Sequence, residues 1–252
     1  MAPSGRRAND LNYASDPTQT NRDDMSTQNI TDSSSLRERW SDPVISILTV
    51  VLILMLFVFA PLQALGIAAF QVLAFVSALV LIGGMFFVSA SHVVAAAMLT
   101  ALAMAIWAAF ARLTAPSSFD VYLIAGAWLI MSVVLIFVVG RTVFAPGRVN
   151  YHRIVGAILV YLSIATTFVA LFTFVGLLIP KAFSGILFED SPALASNVIY
   201  FSFVTLTSTG YGDIFPVHPV ARSLCNFETI LGQLYPATLL ARLVSLEIEG
   251  RR

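Results

Sequence analysis

The chain has 252 residues, of which 58% are hydrophobic and only 11% charged, and its formal net charge is zero. A soluble domain carries roughly 25% charged residues, so the composition excludes a water-soluble globular domain and places the chain in a lipid bilayer. Cys225 is the only cysteine, which excludes an intrachain disulfide and any cysteine-based metal site.

Residues 1–42 are polar, rich in Asp, Asn, Ser and Thr, and almost without apolar periodicity. Such a segment buries too little surface to offset its ordering entropy, so a disordered cytoplasmic tail is expected. Ser35 to Trp40 reads as a short interfacial helix, with Trp40 at headgroup level.

The region 43–145 reads as four transmembrane helices of unassigned role. No Asp, Glu, Lys or Arg occurs from Pro43 to Ala111. One crossing needs about 20 apolar residues, so this run predicts helices near 44–62, 65–87 and 92–111. A fourth is expected from Val121 to Phe144, after the turn Ala115-Pro116-Ser117-Ser118. It has no ladder of arginines: Arg141 stands alone at its end. Voltage sensing needs several charges moved through the field, each contributing about 2.3 kcal/mol per 100 mV, so weak or absent voltage dependence is expected.

In the region 146–252, a fifth helix is expected from Tyr151 to Ile179, stopped by Pro180. An outer loop follows, then a short apolar helix from Pro192 to Leu206 with Ser191 as its N-cap. That helix is too brief to cross, so its carboxyl end points toward the membrane centre, where its partial negative charge favours a cation. A last long helix is expected from Pro219 to Leu246. Both termini then share one side. Arg141, Arg148, Arg153 and Arg242 fall on that side and Arg112, Lys181 and Arg222 opposite, so the termini are expected to be cytoplasmic.

Between the short helix and the last one lies Ser208-Thr209-Gly210-Tyr211-Gly212-Asp213. This stretch resembles the selectivity filter of potassium channels, whose usual sequence is Thr-Val-Gly-Tyr-Gly. The last hundred residues likewise resemble the pore domain of the bacterial potassium channel family: outer helix, pore helix, filter and inner helix. Filter carbonyls replace the hydration shell of the ion, and turning successive carbonyls to one side needs alternating backbone conformations that suit Gly210 and Gly212. The resemblance implies ion binding by Ser208, Thr209, Gly210, Tyr211 and Gly212, with potassium as the permeant ion and no cofactor. Thr209 departs from the family pattern, placing behind the filter a hydroxyl that needs a partner. One filter is a quarter of a ring, so the resemblance implies a homotetramer in the lipid bilayer, in a cell inner (plasma) membrane.

Other residues keep two readings. Gly232 and Pro236 sit four apart in the last helix, where Pro236 cannot donate to the Gly232 carbonyl; a gate hinge and a static kink both fit. Family analogy puts Gln233, Pro236 and Leu240 in the cavity below the filter. Glu228 is the one ionisable residue well inside a span. An unpaired charge there costs at least ~2.5 kcal/mol, so it is expected to be neutral, or bonded to Thr205, Thr207 or Thr209 as a brace behind the filter. A plain inter-helix contact is the alternative. Asp213 reads as a ring of charge at the outer mouth, or as a pair holding the filter loop.

The chain shows no Gly-rich nucleotide loop, paired catalytic carboxylates or nucleophile triad, and no nucleic-acid partner is expected. The reading is therefore an all-α, six-span, potassium-selective channel and not an enzyme. A non-selective cation channel and a non-conducting membrane sensor or transporter component are the alternatives.

Overall fold

A computed structural model describes residues 43–88, 91–114, 117–145 and 151–250. The expected tail, the interfacial helix at 35–40, the boundary between 145 and 146 and several of the arginines lie outside these residues.

The described chain is all-α apart from one two-stranded pairing. Helix α1 covers Pro43–Ala64, α2 Ala68–Val88, α3 His92–Thr114, α4 Ser118–Val143 and α5 Tyr151–Leu178. These five are long and apolar enough to cross a membrane. A short helix α6, Leu194–Leu206, and a long one, α7, Pro219–Gly250, complete the set. At 1.5 Å per residue α7 spans about 48 Å, ample for a crossing. It differs from the other five because Asn226, Glu228, Thr229 and Gln233 interrupt its apolar sequence.

Two helix starts and one internal turn depart from the sequence-based expectation. Helix α4 begins at Ser118, not Val121, because Ser117 and Asp120 form a reciprocal capping box in what reads as a turn. Helix α6 starts at Leu194 with Ala193 at the N-cap position and no side-chain cap. The Leu194 amide donates instead to the Ser191 carbonyl across a preceding turn (3.2 Å). Helix α1 contains a π-turn over Met55–Phe59, closed by the Ala60 amide donating to the Met55 carbonyl. Pro61, one residue on, has no N–H for the Phe57 carbonyl, and the helix widens just before it.

Helix α4 lies along α5, and α3 lies along α4. The C-terminal end of α1 reaches α6, where the Phe57 and Phe203 rings sit 4.9 Å apart. Ser163, Thr166 and Thr173 on α5 each donate their hydroxyl to the carbonyl four residues back. In lipid no water can satisfy these groups, so the helix does so itself.

The core around α6 is aromatic. Phe172 of α5 is fully buried and meets Phe183 and Phe201 at ring separations of 5.6 and 5.0 Å. Phe183 belongs to strand β1, Phe183–Ser184, which pairs antiparallel with β2, Phe215–Pro216. One cluster thus locks α5, α6 and the outer loop together, and β2 carries the exit of the 208–213 loop into the same frame.

Arg112 at the end of α3 donates to the Asp190 carboxylate at 2.6 Å, just before α6. The Arg112 side chain is 41% exposed, and surface ion pairs contribute roughly 0–1 kcal/mol. Arg112→Ala is therefore expected to lower unfolding stability by less than about 1 kcal/mol, a shift that thermal unfolding of the purified protein would measure.

Candidate functional site

Residues 208–212 leave the C-terminal end of α6 with alternating backbone handedness. Ser208, Gly210 and Gly212 have φ of 58°, 60° and 81°, while Thr209 and Tyr211 between them remain at negative φ. The sequence assigns the unusual conformation to the two glycines alone. Ser208 joins them despite its Cβ, at a cost of order 1–3 kcal/mol. Alternation of this kind is the backbone pattern that lets successive carbonyls turn toward one side.

The N–H groups of Ser208, Thr209 and Gly210 point back at the helix. Thr209 and Gly210 both donate to the Val204 carbonyl, at 2.9 and 3.4 Å, and Ser208 donates to that of Thr205. Among the described residues no donor meets the carbonyls of 208–212. The loop therefore combines carbonyls that no described donor meets with N–H groups anchored at positions 208 to 210.

Side chains fix the loop laterally. The Thr209 hydroxyl meets that of Thr207 at 2.8 Å, and Thr207 also donates to the Phe203 carbonyl at 2.7 Å. Thr209 thus finds its partner within the loop itself. The Tyr211 ring stacks on Tyr200 of α6, with centroids 6.2 Å apart and planes 3° from parallel. Asp213 is exposed, and its carboxylate lies near the Tyr200 phenol. At the loop exit Gly185, with φ +85°, lies against Asp213: a Cβ there would sit 2.0 Å from the Asp213 carbonyl oxygen. The Val217 and His218 amides both donate to the Ala182 carbonyl, and Arg222 Nε donates to that of Pro216.

Helix α7 grips the C-terminal end of α6 along one face. Thr229 Oγ1 donates to the Thr205 carbonyl at 3.2 Å. Gly232 lies against the Leu206 carbonyl so closely that a Cβ would be 1.9 Å from its oxygen. Gln233 Nε2 donates to Ser208 Oγ at 2.9 Å. Positions i, i+3 and i+4 share a helix face, so three successive attachments follow from one helix placement. Pro236 and Leu240 are exposed farther along α7. Tyr235 turns the other way, its hydroxyl donating to the Ala157 carbonyl of α5 at 2.8 Å.

Glu228 is fully buried. Its partner is none of the three threonines that the sequence suggests. Thr205 donates to the Phe201 carbonyl, and Thr207 and Thr209 engage each other. Ser202, one helical turn earlier on α6, lies 2.5 Å from Glu228 Oε1, and the same hydroxyl is 3.0 Å from the Ala165 carbonyl of α5. Glu228 therefore joins the inner, short and outer helices at one point. Only an across-helix register locates Ser202, and sequence spacing carries no such signal.

Residues 173–248, from the end of α5 through α7, match a family model described as an ion channel. No curated relative and no solved structure matches the chain. The match covers the short helix, the 208–213 loop and the gripping face of α7, and leaves α1 to α4 outside it.

Proposed function

We propose that this chain, whose residues 173–248 carry an ion-channel segment, is one subunit of a homotetrameric, potassium-selective channel that conducts passively. The observation that carries the reading is the 208–212 backbone: left-handed at every second residue, its carbonyls unengaged. A cation shedding water needs several oxygens held at one distance, and a row of backbone carbonyls supplies them without a charged group to trap the ion.

Assembly follows from what the loop can face. Non-helical backbone at membrane depth is tolerated only against protein or water, yet Ser208 to Gly212 are exposed in the single chain. Beside them on α7, Gln233, Leu234, Pro236 and Leu240 are also exposed. Four copies around an axis cover the backbone and turn Gln233, Pro236 and Leu240 toward a shared cavity. Asp213 then forms a ring of charge at the outer mouth, raising the local cation concentration.

Orientation is supported by the arginines. Arg153 donates to the Ala145 carbonyl, and Arg242 to those of Phe144 and Ala145, with its guanidinium 5.3 Å above the Phe144 ring. Arg141, Arg153 and Arg242 therefore gather at the α4–α5 end, while Arg112 sits at the opposite end beside Asp190. Short loops rich in arginine face the cytoplasm, so on this reading the 208–213 loop opens outward; the inner, or plasma, membrane is what the resemblance to the bacterial family implies.

Purified protein in liposomes, with potassium or sodium as the only permeant cation, tests the reading. Potassium flux at least about tenfold above sodium flux is the expected result, equivalent to about 1.4 kcal/mol of discrimination. Equal flux would make the pore a non-selective cation channel, and no flux of either ion would leave a non-conducting membrane component.

A further inference from the structure

We infer that Gln233 is a specificity-determining residue of this pore, holding the Ser208 hydroxyl so that its oxygen is the innermost ligand a dehydrating monovalent cation meets. The inference rests on the conduction reading above and adds to it a residue outside the filter loop.

Two observations single out the pair. Thr209, the other hydroxyl within 208–212 on a residue other than tyrosine, is tied to Thr207 at 2.8 Å and is thereby fixed within its own loop. Ser208 Oγ is instead reached from another element, by Gln233 Nε2 at 2.9 Å. Both residues are exposed in the single chain, on the surface where the carbonyl row opens. Gln233 is also delivered there by its neighbours and not by its own flexibility. Gly232 brings the α7 backbone against the Leu206 carbonyl, and Thr229 binds that of Thr205. With its backbone fixed at that height, the amide has one short reach to make.

A serine hydroxyl has one hydrogen and two lone pairs. When the Gln233 amide donates to one lone pair, the other is left for the cation. With the amide turned over, Ser208 donates its hydrogen to the Gln233 carbonyl and both lone pairs are left. The first arrangement closes one of the three staggered positions to the hydroxyl hydrogen and the second engages that hydrogen outright, so in both the pairing with Gln233 limits how the hydroxyl can turn. An apolar side chain at 233 removes that restraint, and the hydroxyl is then free to donate to a nearby carbonyl and take that carbonyl out of the row as well. The smaller, more strongly hydrated sodium gains least from a fixed oxygen spacing, so a loosened inner site narrows the difference between the two ions.

The test is a double-mutant cycle on the potassium-to-sodium flux ratio in liposomes, using Gln233→Leu, Ser208→Ala and the double variant. A net hydrogen bond between neutral groups corresponds to a change of about threefold to tenfold. Each single variant is expected to lower the ratio by that factor, and the double variant to lower it no further than the worse single one. Gln233→Asn, one methylene too short to reach Ser208 but still polar, is expected to lose the same factor with unchanged thermal unfolding, separating positioning from folding. A wild-type ratio in Gln233→Asn, or a double variant whose loss is the product of the two single losses, overturns the inference and leaves the channel reading standing. A parent protein that carries neither ion overturns the channel reading itself.

Discussion

Gly232→Ala is expected to destabilise the folded protein by about 3 kcal/mol and to abolish cation flux. The added methyl would lie 1.9 Å from the Leu206 carbonyl oxygen and 2.8 Å from its carbon. Both are backbone atoms at the end of α6, so no side-chain rotation relieves the contact and α7 must move away. Overpacking of this kind costs typically 1–3 kcal/mol and occasionally more. The displacement also withdraws Thr229 from Thr205 and Gln233 from Ser208, which removes two supports of the loop at once. A glycine serving purely as a hinge predicts the opposite sign. Alanine is more favourable than glycine inside a helix by about 0.8–1.0 kcal/mol, so a hinge-only Gly232 would give a more stable protein with altered gating. Thermal unfolding and liposome flux of the same purified variant read both quantities. A stabilised, conducting Gly232→Ala protein would mean that close approach to α6 is not what position 232 requires.

Both demands can hold at one residue. Pro236 leaves the Gly232 carbonyl without its helical donor, while the Gly232 Cα faces the Leu206 carbonyl. The missing helical hydrogen bond thus lies where α7 is closely apposed to the element that carries the 208–212 loop. A bend at this place would pull directly on the C-terminal end of α6 and, through it, on the 208–212 backbone.

How far the sequence reaches differs by level. The long helices are legible because residues 43–111 contain no formal charge and because Pro180 and the turn residues punctuate the rest. The 208–213 loop is legible because its backbone conformation demands glycine at a fixed spacing, and Gly210 and Gly212 do take positive φ. What escapes the sequence is relative register. That Ser208 shares the left-handed conformation follows from how α6 ends, with Ser208 N–H turned back to the Thr205 carbonyl. That Ser202 and not a threonine meets Glu228 follows from the rotation of α6 against α7. The approach of α1 to the short helix through Phe57 and Phe203 has no one-dimensional signature either, since lipid-facing and protein-facing phenylalanines read alike. Local conformational demands leave a mark in residue type; packing between apolar helices in lipid leaves almost none.

Glu228 gives the second large effect, and the direction depends on which side chain replaces it. Glu228→Gln is expected to stay within about 1 kcal/mol of the parent, whereas Glu228→Ala is expected to lose about 2–4 kcal/mol and the cation flux. The reasoning is a count of hydrogens. Ser202 has one, and its oxygen lies near two acceptors, the Ala165 carbonyl at 3.0 Å and Glu228 Oε1 at 2.5 Å. A carbonyl cannot donate. The relay from Glu228 Oε1 through Ser202 to Ala165 has a hydrogen for each link when the carboxyl carries one, donating it to Ser202 while Ser202 donates to Ala165. Among the described residues Oε2 has no partner, in a fully buried position, which a carboxylate would tolerate far less well than a carboxylic acid. Glutamine has an N–H to offer in the same place, so it preserves the relay from α7 through α6 to α5. Alanine leaves Ser202 without its α7 partner and opens a cavity where the three helices meet. If Glu228 were instead an ionised partner, glutamine would forfeit a charge-assisted bond of about 1.5–3 kcal/mol and behave nearly as badly as alanine. Infrared spectroscopy adds a readout independent of stability: a protonated-carboxyl band present in the parent and missing in Glu228→Gln places the hydrogen on the glutamate, and its absence from the parent would put the charge back.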